Sequence, residues 1–578
     1  MSCIFSLVPH LKTKLSLTSP LVIQLITGMS KNLSHLSGRK GIEKNLFEYI
    51  GRVAEENGQL SKEEISSIAE EFLMGTANIF GTASFYDFTR PENAGKKIYL
   101  CNGSACLTAG TQNAVQSALE AQFDKSEIGE MCCLGRCHEN KAFHFEGHNY
   151  SGDSIHKLDS ILKGETLEKD KYSVKHIGHQ ILTGAQLSLD TISKHLKDFL
   201  SQKPEVLLEK VKISGIRGRG GAGFPMAIKL EGCAKAVATQ KFIVCNADEG
   251  DPGSYSDRYL LEHQPYLVLI GLWISAYITG ANKAVVYIRA EYPESVRIMN
   301  QAVQDFRNQG FVGNAIFGSN FNFDFKIIKA QGAYICGEET ALLSSIEGQR
   351  PEVRVRPPFP VQEGLFRKPT VVNNVETVAN LLFICSMGGE AYAAIGTPKS
   401  TGTKLVSLDS AFFSPGIFEA DMGTPLKTVF QELGSGFKRP VKAVHIGGPL
   451  GGLVPVSKIP DLTLDFESFA QNGFMMGHAS VVSVPEEFPM IEYLEHLFSF
   501  TAHESCGKCF PCRLGSTRGK ELIQKAQNDH TYKIDLKLMD DLLDTMKRGS
   551  LCALGGGIPL PFTNAMKYFK EELSPYFK

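Results

Sequence analysis

The chain has 578 residues, too many for one ordinary hydrophobic core, so its length predicts about three to five domains. With 43% hydrophobic and 21% charged residues it has the composition of a globular protein, and 60 basic residues nearly balance 62 acidic ones. This balance argues against nucleic acid or an anionic membrane surface as a partner. The most apolar run, at 266–280, is too short to span a bilayer and predicts a buried helix.

The beginning of the chain differs in composition from the rest. Residues 1–28 contain no acidic side chain and carry Lys12 and Lys14. A signal or transit peptide is one interpretation, but Pro20 interrupts the apolar stretch and there is no clear small-residue cleavage site, which favours a later start. We therefore expect residues 1–39 to be an N-terminal extension, translation to start at Met29, and the protein to be cytoplasmic.

Residues 40–165 predict a helical segment followed by a small α/β domain. Apolar residues recur at helical spacing from Leu46, and Gly58 is expected to end that helix. Ser61 and Glu64 have the spacing of a capping box at the start of the next helix. The strands predicted for the α/β domain are "KKIYLC" and "AFHFEG", with a helix between them.

Four cysteines of this domain lie in two pairs on loops after strands. Their spacing, C-x4-C and then C-x3-C, suits either a [2Fe–2S] cluster or a zinc ion. The run "MCCLGRC" offers neighbouring thiols for the third position, and we take Cys133 as the ligand and Cys132 as the bystander. The predicted ligands are Cys101, Cys106, Cys133 and Cys137.

The rest of the chain divides by pattern. Residues 166–207 predict a linker, and 208–400 alternate strands with helices, as in an α/β domain. Residues 401–485 hold short strands punctuated by glycine and proline, and predict a small β-rich domain. Residues 486–578 predict helices.

A glycine-rich loop opens the α/β domain. "SGIRGRGGAGFP" places Gly218, Gly220 and Gly223 in G-x-G-x-x-G register, but no strand precedes it and the next acidic strand end is too distant for a dinucleotide fingerprint. We therefore reject that interpretation. Glycines still free backbone N–H groups to hold a phosphate, and three cations lie nearby to balance its charge: Arg217, Arg219 and Lys229.

Three polar loops of the same domain predict a ligand site. "NADEGDPG" follows a strand, where open α/β sheets bind ligands, and "VVNNVET" supplies paired amides. In "GAYICGEET" we expect a strand to end at Gly337 and a helix to begin at Glu338, where Glu338 and Glu339 could equally stabilise the helix dipole. Together with two metal-type clusters, these loops predict a nucleotide or flavin site.

The C-terminal region contains a second group of cysteines. Cys506, Cys509 and Cys512 form a C-x2-C-x2-C run, which suits three corners of a [4Fe–4S] cubane. Cys552, in "GSLCALGGG", is the only later cysteine and is the predicted fourth ligand. Structural zinc is the alternative, but zinc sites use two separated pairs of ligands.

These motifs resemble a known family. "RGRGGAGFP", "CNADEGDPG", "GAYICGEETALLSSIEG", "RPPFP", "NNVET", "ESCGKCFPC" and "LCALGGG" occur in the same order in the NADH-oxidising flavoprotein subunit of respiratory complex I. The earlier part, with "ASFYDF" and the first cysteine set, resembles the thioredoxin-like [2Fe–2S] subunit of that complex. A single chain that carries both of these parts resembles the fused diaphorase subunits of NAD-dependent formate dehydrogenases and NAD-reducing hydrogenases.

The resemblance implies a multidomain α/β protein. Its parts would be a helical plus thioredoxin-like [2Fe–2S] domain, an α/β FMN/NADH-binding domain, a β-grasp-like insert and a helical [4Fe–4S] domain. The implied cofactors are FMN, NAD(H), a [4Fe–4S] cluster and a [2Fe–2S] cluster. Glu339 is the implied catalytic residue, and the implied FMN- and NADH-binding residues are Gly218, Gly220, Gly221, Phe224, Lys229, Asn246, Asp248, Glu249, Asp251, Gly337, Glu338, Glu339, Arg356, Phe359, Val372, Asn373, Asn374 and Thr377.

Three positions depart from the family pattern. The family usually has Glu at Asp251 and Lys at Arg356, and an aromatic residue often stands at Gly232. The first two changes keep the charge but alter the reach of the side chain. The third removes an aromatic contact for the adenine ring, so these departures bear on nucleotide affinity.

The function implied is reversible hydride transfer between NAD(H) and FMN, with single electrons passed through the clusters to a catalytic iron–sulfur partner subunit. The sequence favours a formate dehydrogenase as that partner, because its first cluster motif is complete and the insert resembles that branch. A hydrogenase module and a complex I-like NADH dehydrogenase are the alternatives. A zinc-stabilised nucleotide-binding module is the alternative of a different class.

Overall fold

The structure, a computed structural model, describes residues 42, 45–57, 59–165 and 171–578. The predicted extension at 1–39, the predicted start at Met29 and the predicted helix end at Gly58 lie outside the described residues.

The described chain begins with three helices. Leu46 and Ile50 of the first helix pack against Ile68 of the second in one apolar cluster. The Ser61 side chain accepts a hydrogen bond from the Glu64 N–H while the Glu64 side chain accepts one from the Ser61 N–H, so the predicted capping box is confirmed. These helices span Leu46–Asn57, Lys62–Glu71 and Thr76–Ala83.

A four-stranded sheet follows, in the order β2-β1-β3-β4. Strands β1 and β2 run parallel, while β3 and β4 are antiparallel to their neighbours. The strands are β1 (Ile98–Cys101), β2 (Ile128–Met131), β3 (Phe143–Phe145) and β4 (His148–Tyr150), and the α-helices are Ser104–Ala109, Gln112–Glu120 and Leu158–Leu162.

The segment predicted as a linker, 166–207, is regular over much of its described part. It holds strand β5 (Ser173–Ile177) and the helix Leu189–Ser201, and the helix Pro204–Ser214 begins at its end. The helix Leu189–Ser201 is amphipathic, and its apolar face packs into the core through Ile192, Leu196 and Phe199. The linker prediction is therefore wrong for these residues.

A parallel sheet forms the centre, in the order β8-β7-β6-β9. The apolar run at 266–280 is the helix Pro265–Thr279, buried along nearly its whole length, as predicted. The strands are β6 (Phe242–Ala247), β7 (Lys283–Ile288), β8 (Asp324–Lys329) and β9 (Thr370–Asn374). The helices around them are Met226–Lys235, Ser256–His263, Pro265–Thr279, Pro293–Asn308, Glu339–Ile346, Pro360–Glu363, Val375–Ala379, Leu381–Met387 and Gly389–Ala393.

A six-stranded mixed sheet follows, in the order β13-β12-β14-β10-β11-β5. Strand β5 thus joins the sheet at its edge, parallel to a strand some 240 residues later in the chain (Ser173 pairs with Gly416). The later strands are β10 (Thr403–Leu408), β11 (Gly416–Asp421), β12 (Val441–Ile446), β13 (Gly452–Pro455) and β14 (Ser480–Pro485), with helices at Leu426–Thr428 and Phe466–Gln471.

The C-terminal region is helical, as predicted. Within the described residues, no helix combines the length and apolar composition that a bilayer span needs. The helices are Met490–Glu504, Phe510–Asn528, Leu536–Gly549, Ala553–Gly557, Pro559–Tyr568 and Lys570–Leu573.

Candidate functional site

The carboxyl ends of β6 and β9 form the floor of the predicted ligand site. The two strands are neighbours, so Asn246 lies beside Asn374. Asp248 Oδ2 and Asn373 Nδ2 are buried and have no hydrogen-bond partner among the described residues. Burial raises the pKa of Asp248 well above its ordinary value. A buried acceptor and a buried donor at one sheet edge are what a bound polar ligand satisfies.

The glycine loop lies across the end of β9. The N–H of Gly218 donates to Phe224 O at 2.8 Å, which closes the loop. The N–H of Arg219 donates to Thr377 Oγ1, also at 2.8 Å. At Gly220, a Cβ atom would lie 2.9 Å from the Asn374 Cβ, so only glycine fits at this close approach.

Glu339 lies between two cations. Its Oε2 accepts a hydrogen bond from Lys229 Nζ at 2.8 Å, and its Oε1 accepts one from Arg356 at 3.1 Å. Lys229 Nζ also donates to Val372 O at 3.0 Å, which ties this cation to β9. The arrangement gathers one carboxylate and two cations from three separate segments.

Two cations predicted to serve a phosphate are engaged elsewhere. Arg219 is fully buried and donates to Tyr392 Oη and Thr401 O. Arg217 pairs with Glu467 at 2.6 Å, so its charge is already balanced. The expectation that these arginines balance a ligand charge is therefore wrong, and Lys229 is the member of the three that lies in the site.

Neighbouring Glu338 has a structural role at the helix start. Its carboxylate accepts the N–H groups of Thr340 and Ala341, both at 2.9 Å, and so caps the helix Glu339–Ile346. The Gly337 carbonyl accepts from Asn246 Nδ2 at 2.7 Å, which joins this turn to β6.

Two phenylalanine rings near the site are open to solvent. Phe224 is 45% exposed and Phe359 is 50% exposed, unusual values for large apolar side chains. Lys229 Nζ lies 5.9 Å from the centre of the Phe224 ring. These rings offer faces on which a planar heterocycle can stack.

The carboxylates of Glu249 and Asp251 already have partners. Glu249 is buried and accepts the N–H groups of Asp257 and Arg258, at 2.9 and 3.0 Å, which caps the helix Ser256–His263. Asp251 accepts from Tyr334 Oη at 2.7 Å. Burial raises the pKa of both groups.

The insert contributes a residue that the sequence analysis missed. His478 Nδ1 lies 2.7 Å from Ser254 Oγ, and its Nε2 lies 3.5 Å from Asp257 Oδ2. Asn374 Nδ2 donates to the same Asp257 oxygen at 2.6 Å. His478 therefore connects to the site through Asp257, and nothing in the run "GHAS" indicates this contact.

The first set of cysteines converges on one point. Cys133 Sγ lies 3.3 Å from Cys137 Sγ, and Cys101 hydrogen-bonds with both Cys106 and Cys133. All four are buried. Hydrogen bonds from Cys101 and Cys137 lower the pKa of Cys133 well below its usual range, as suits a thiolate ligand. Unlike these four, Cys132 is only half-buried; it packs against the two large apolar clusters of the protein, the first of which includes Cys133 and Cys137.

The second set also converges, around two helix starts. Cys509 and Cys552 are the residues that precede the helices Phe510–Asn528 and Ala553–Gly557. Burial raises the pKa of Cys552 to about 12, and the neighbouring Cys512 and Cys506 add to this rise. A Cβ at Gly555 would lie 2.6 Å from the Cys512 Cβ, so glycine permits the close approach predicted for the "ALGGG" segment.

Three family models match the chain. The Nuo51 FMN-binding domain matches residues 211–382, and the thioredoxin-like [2Fe–2S] ferredoxin matches 34–165. The iron–sulfur binding region of NADH-ubiquinone oxidoreductase F matches 492–576. Each model covers the polar loops or the set of cysteines described above for that part of the chain.

The relatives match over long stretches. The NADH-quinone oxidoreductase F protein of Aquifex aeolicus is 38% identical over 398 residues, 67% of this chain and 92% of that protein. The alpha subunit of NAD-reducing hydrogenase HoxS of Cupriavidus necator is 32% identical over 559 residues, 91% of each chain. This chain belongs to the family of NADH-oxidising flavoprotein subunits. A solved structure of NAD+-reducing [NiFe]-hydrogenase in the H2-reduced state superposes on the flavoprotein with a TM-score of 0.82, at 27% identity and 92% coverage of both chains.

The flavoprotein is thus an NADH dehydrogenase-type oxidoreductase of the diaphorase type that uses FMN, NADH, a [2Fe–2S] cluster and a [4Fe–4S] cluster. Its site fits these groups. Asp248 and Asn373 present unsatisfied polar atoms beside the glycine loop, and two sets of four cysteines each converge. Its relatives are subunits of larger NADH-oxidising complexes.

Proposed function

We propose that hydride exchange between NAD(H) and FMN takes place at the carboxyl edge of the parallel sheet, beside Glu339. The supporting observation is the convergence there of two unsatisfied polar atoms, on Asp248 and Asn373, with the Lys229–Glu339–Arg356 group. Bound FMN would supply the conversion between a two-electron hydride and single electrons for the clusters.

The protein's own groups would bind FMN and NAD(H) and orient them toward each other. The backbone N–H groups of Gly220 and Gly221 would hold a phosphate, with Gly218 closing the loop through its bond to Phe224 O. Asp248 and Asn373 would supply an acceptor and a donor to the flavin. Glu339 holds Lys229 and Arg356 in place by its two hydrogen bonds. No general acid or base is needed, because a hydride carries its electron pair with it. The full proposed FMN and NADH set is that given by the family resemblance: Gly218, Gly220, Gly221, Phe224, Lys229, Asn246, Asp248, Glu249, Asp251, Gly337, Glu338, Glu339, Arg356, Phe359, Val372, Asn373, Asn374 and Thr377.

The proposed cluster ligands are the eight convergent cysteines. Cys101, Cys106, Cys133 and Cys137 would hold the [2Fe–2S] cluster, and Cys506, Cys509, Cys512 and Cys552 the [4Fe–4S] cluster. Their contacts within the described residues support these assignments.

The partner proposed here is a cytoplasmic catalytic subunit that carries iron–sulfur clusters of its own. The sequence favours formate dehydrogenase. Similarity over 91% of the chain to the alpha subunit of an NAD-reducing hydrogenase is a specific observation in favour of a hydrogenase module. Both partners require the same electron path through this subunit, so they differ only in the substrate of the second subunit.

The native complex, isolated anaerobically through this chain, tests the proposal. If formate reduces NAD+ in that complex, the partner is a formate dehydrogenase, and H2-dependent reduction identifies a hydrogenase. If NADH bleaches the flavin while neither donor reduces NAD+, both named partners are excluded. Failure of NADH to bleach a cofactor-replete sample would contradict the hydride chemistry itself.

A further inference from the structure

The segment after β7, Arg289 to Tyr292, lies between the proposed flavin and [2Fe–2S] sites. Arg289 is only 3% exposed, and its guanidinium contacts a loop of each site. One nitrogen donates to Glu249 O at 2.6 Å, in the loop after β6, and another donates to Cys132 O at 2.8 Å, beside Cys133. A planar guanidinium with several donors is suited to such a double contact.

Tyr292 makes a second bridge between the same two loops. Its ring packs so closely on Gly135 that a Cβ there would lie 2.7 Å from a ring carbon. Its hydroxyl lies 3.3 Å from Glu249 Oε2. The N–H of Gly135 in turn lies 3.4 Å from Cys133 Sγ. The ligand loop and the flavin loop are therefore held by one short segment.

The bridge also carries a buried charge. Arg289 pairs with Glu291 at 2.8 Å, and both side chains are 4% exposed. The hydrogen bonds to Glu249 O and Cys132 O place the Arg289 charge next to both loops. In a protein interior such a charge acts over long distances with little screening.

We propose that Arg289 is a positioning residue for electron exchange between the flavin and [2Fe–2S] sites, which fixes the two loops and stabilises an added electron on the cluster. This inference rests on the proposed function, since it uses the proposed ligand Cys133 and the flavin edge at Asp248. The step transfers one electron from the reduced flavin to the oxidised cluster and breaks no bond.

Loss of the positive charge of Arg289 changes the ratio of reduced to oxidised cluster in a defined direction. Removing one unit charge at roughly 10 Å, with an effective dielectric constant near 20, lowers the ratio of reduced to oxidised cluster at a fixed potential by about tenfold. Removing the Glu291 charge leaves Arg289 uncompensated and therefore acts in the opposite direction. A residue that only supports packing gives no such reversal.

The test uses the anaerobic, cofactor-replete full chain with Arg289→Gln, Arg289→Lys and Glu291→Gln. Redox titration with mediators, followed by electron paramagnetic resonance, measures the reduced fraction of the cluster without NADH. We expect about a tenfold lower reduced-to-oxidised ratio in Arg289→Gln and a higher ratio in Glu291→Gln. Arg289→Lys keeps the ratio within about threefold of wild type, but slows cluster reduction by NADH relative to flavin bleaching, because one bridge is lost.

Two controls keep the outcome interpretable. Arg307→Gln, which breaks a half-exposed pair with Asp324, should leave the ratio unchanged. If Arg289→Gln fails to fold, Glu291→Gln and the double variant Arg289→Gln/Glu291→Gln decide: the double variant should return close to the wild-type ratio. Shifts of the same sign in the charge variants, or no shift, would overturn the inference. Absence of a wild-type cluster signal, or of NADH bleaching, would instead overturn the proposed function.

Discussion

At the residue scale, Gly220 is where the absence of a side chain matters most. A Cβ there would lie 2.9 Å from the Asn374 Cβ, a distance that real contacts do not tolerate. We expect Gly220→Ala to push Asn374 from the sheet edge and to weaken FMN binding by about tenfold or more. Fluorescence titration of the apoprotein with FMN measures this change.

Gly232→Ala is the matched control. Its Cβ would lie 3.4 Å from the nearest Val361 atom, and the position is helical, where alanine is preferred to glycine. FMN affinity should stay within about twofold of wild type. Equal losses in both variants would show that the glycine loop has no special role.

The neighbouring thiols Cys132 and Cys133 permit an equally direct comparison. Cys133 is buried and its Sγ lies 3.3 Å from Cys137 Sγ, whereas Cys132 is only half-buried. We expect Cys133→Ser to abolish the [2Fe–2S] signal and Cys132→Ser to retain it. Iron analysis and electron paramagnetic resonance measure both. Retention of the signal in Cys133→Ser would refute the assignment.

At the element scale, the insert is held to the flavin domain by buried charges. Lys404 of β10 and Glu376, beside Asn374, are both fully buried and pair directly. Breaking such a pair leaves one uncompensated charge, so Lys404→Met should lower the free energy of unfolding by about 3–5 kcal/mol. Denaturant titration checks this value.

The surface pair of Lys458 and Asp461, 2.8 Å apart, provides the control for Lys404. Both side chains are well exposed, so Lys458→Met should leave the unfolding midpoint almost unchanged. A similar small effect for Lys404→Met would mean that the buried pair contributes nothing to stability.

His478 makes the same junction sensitive to pH. Burial by itself lowers the pKa of His478, but Asp257, with help from Glu249 and against the charge of Lys404, raises it to about 9. Because this lies above the ordinary value of 6.5, the charged form stabilises the fold fully below about pH 6.5, and the contribution is lost as the pH rises through about 9.

The test of His478 is the thermal midpoint between pH 6 and about 10. His478→Gln should be less stable than wild type at neutral pH, and the difference should shrink above pH 9. The exposed His530→Gln variant should follow wild type throughout. A constant difference across the range would rule out the charge as the cause.

Some elements are accessible to sequence reasoning and others are not. The helix Pro265–Thr279 and the capping box at Ser61 were predicted correctly, because apolar patterning and capping depend on nearby residues. Strand β5 was missed: only two of its five residues, Val174 and Ile177, are apolar, and its partner β11 lies some 240 residues away. Pairing over such a distance leaves no local pattern.

The same division applies to the site across the whole molecule. Cysteine spacing indicated two clusters, because a metal centre imposes its geometry on nearby residues of the chain. The sequence does not predict the contact of Arg219 with Tyr392 or that of His478 with Asp257. In each pair the two residues are far apart in the chain and meet only in the tertiary fold. A charged side chain near a glycine loop can serve a ligand or a neighbouring domain, and sequence alone does not distinguish these roles.

At the scale of the molecule, one loop connects the sites. Residues 246–253 begin at the sheet edge with Asn246, are bonded through the Glu249 carbonyl to Arg289, and reach Cys137 through the N–H of Gly253. The proposed flavin and [2Fe–2S] sites are therefore parts of one packed unit. This arrangement agrees with a protein whose task is to pass electrons between cofactors.

The most direct test is to add NADH anaerobically to the full chain reconstituted with FMN, iron and sulfide. We predict that the flavin absorbance bleaches and that reduced-cluster signals then appear, since hydride transfer must precede single-electron transfer. If NADH bleaches neither the flavin nor the clusters in a sample shown to contain all of them, the assignment of this protein as a working NADH dehydrogenase of the diaphorase type is contradicted.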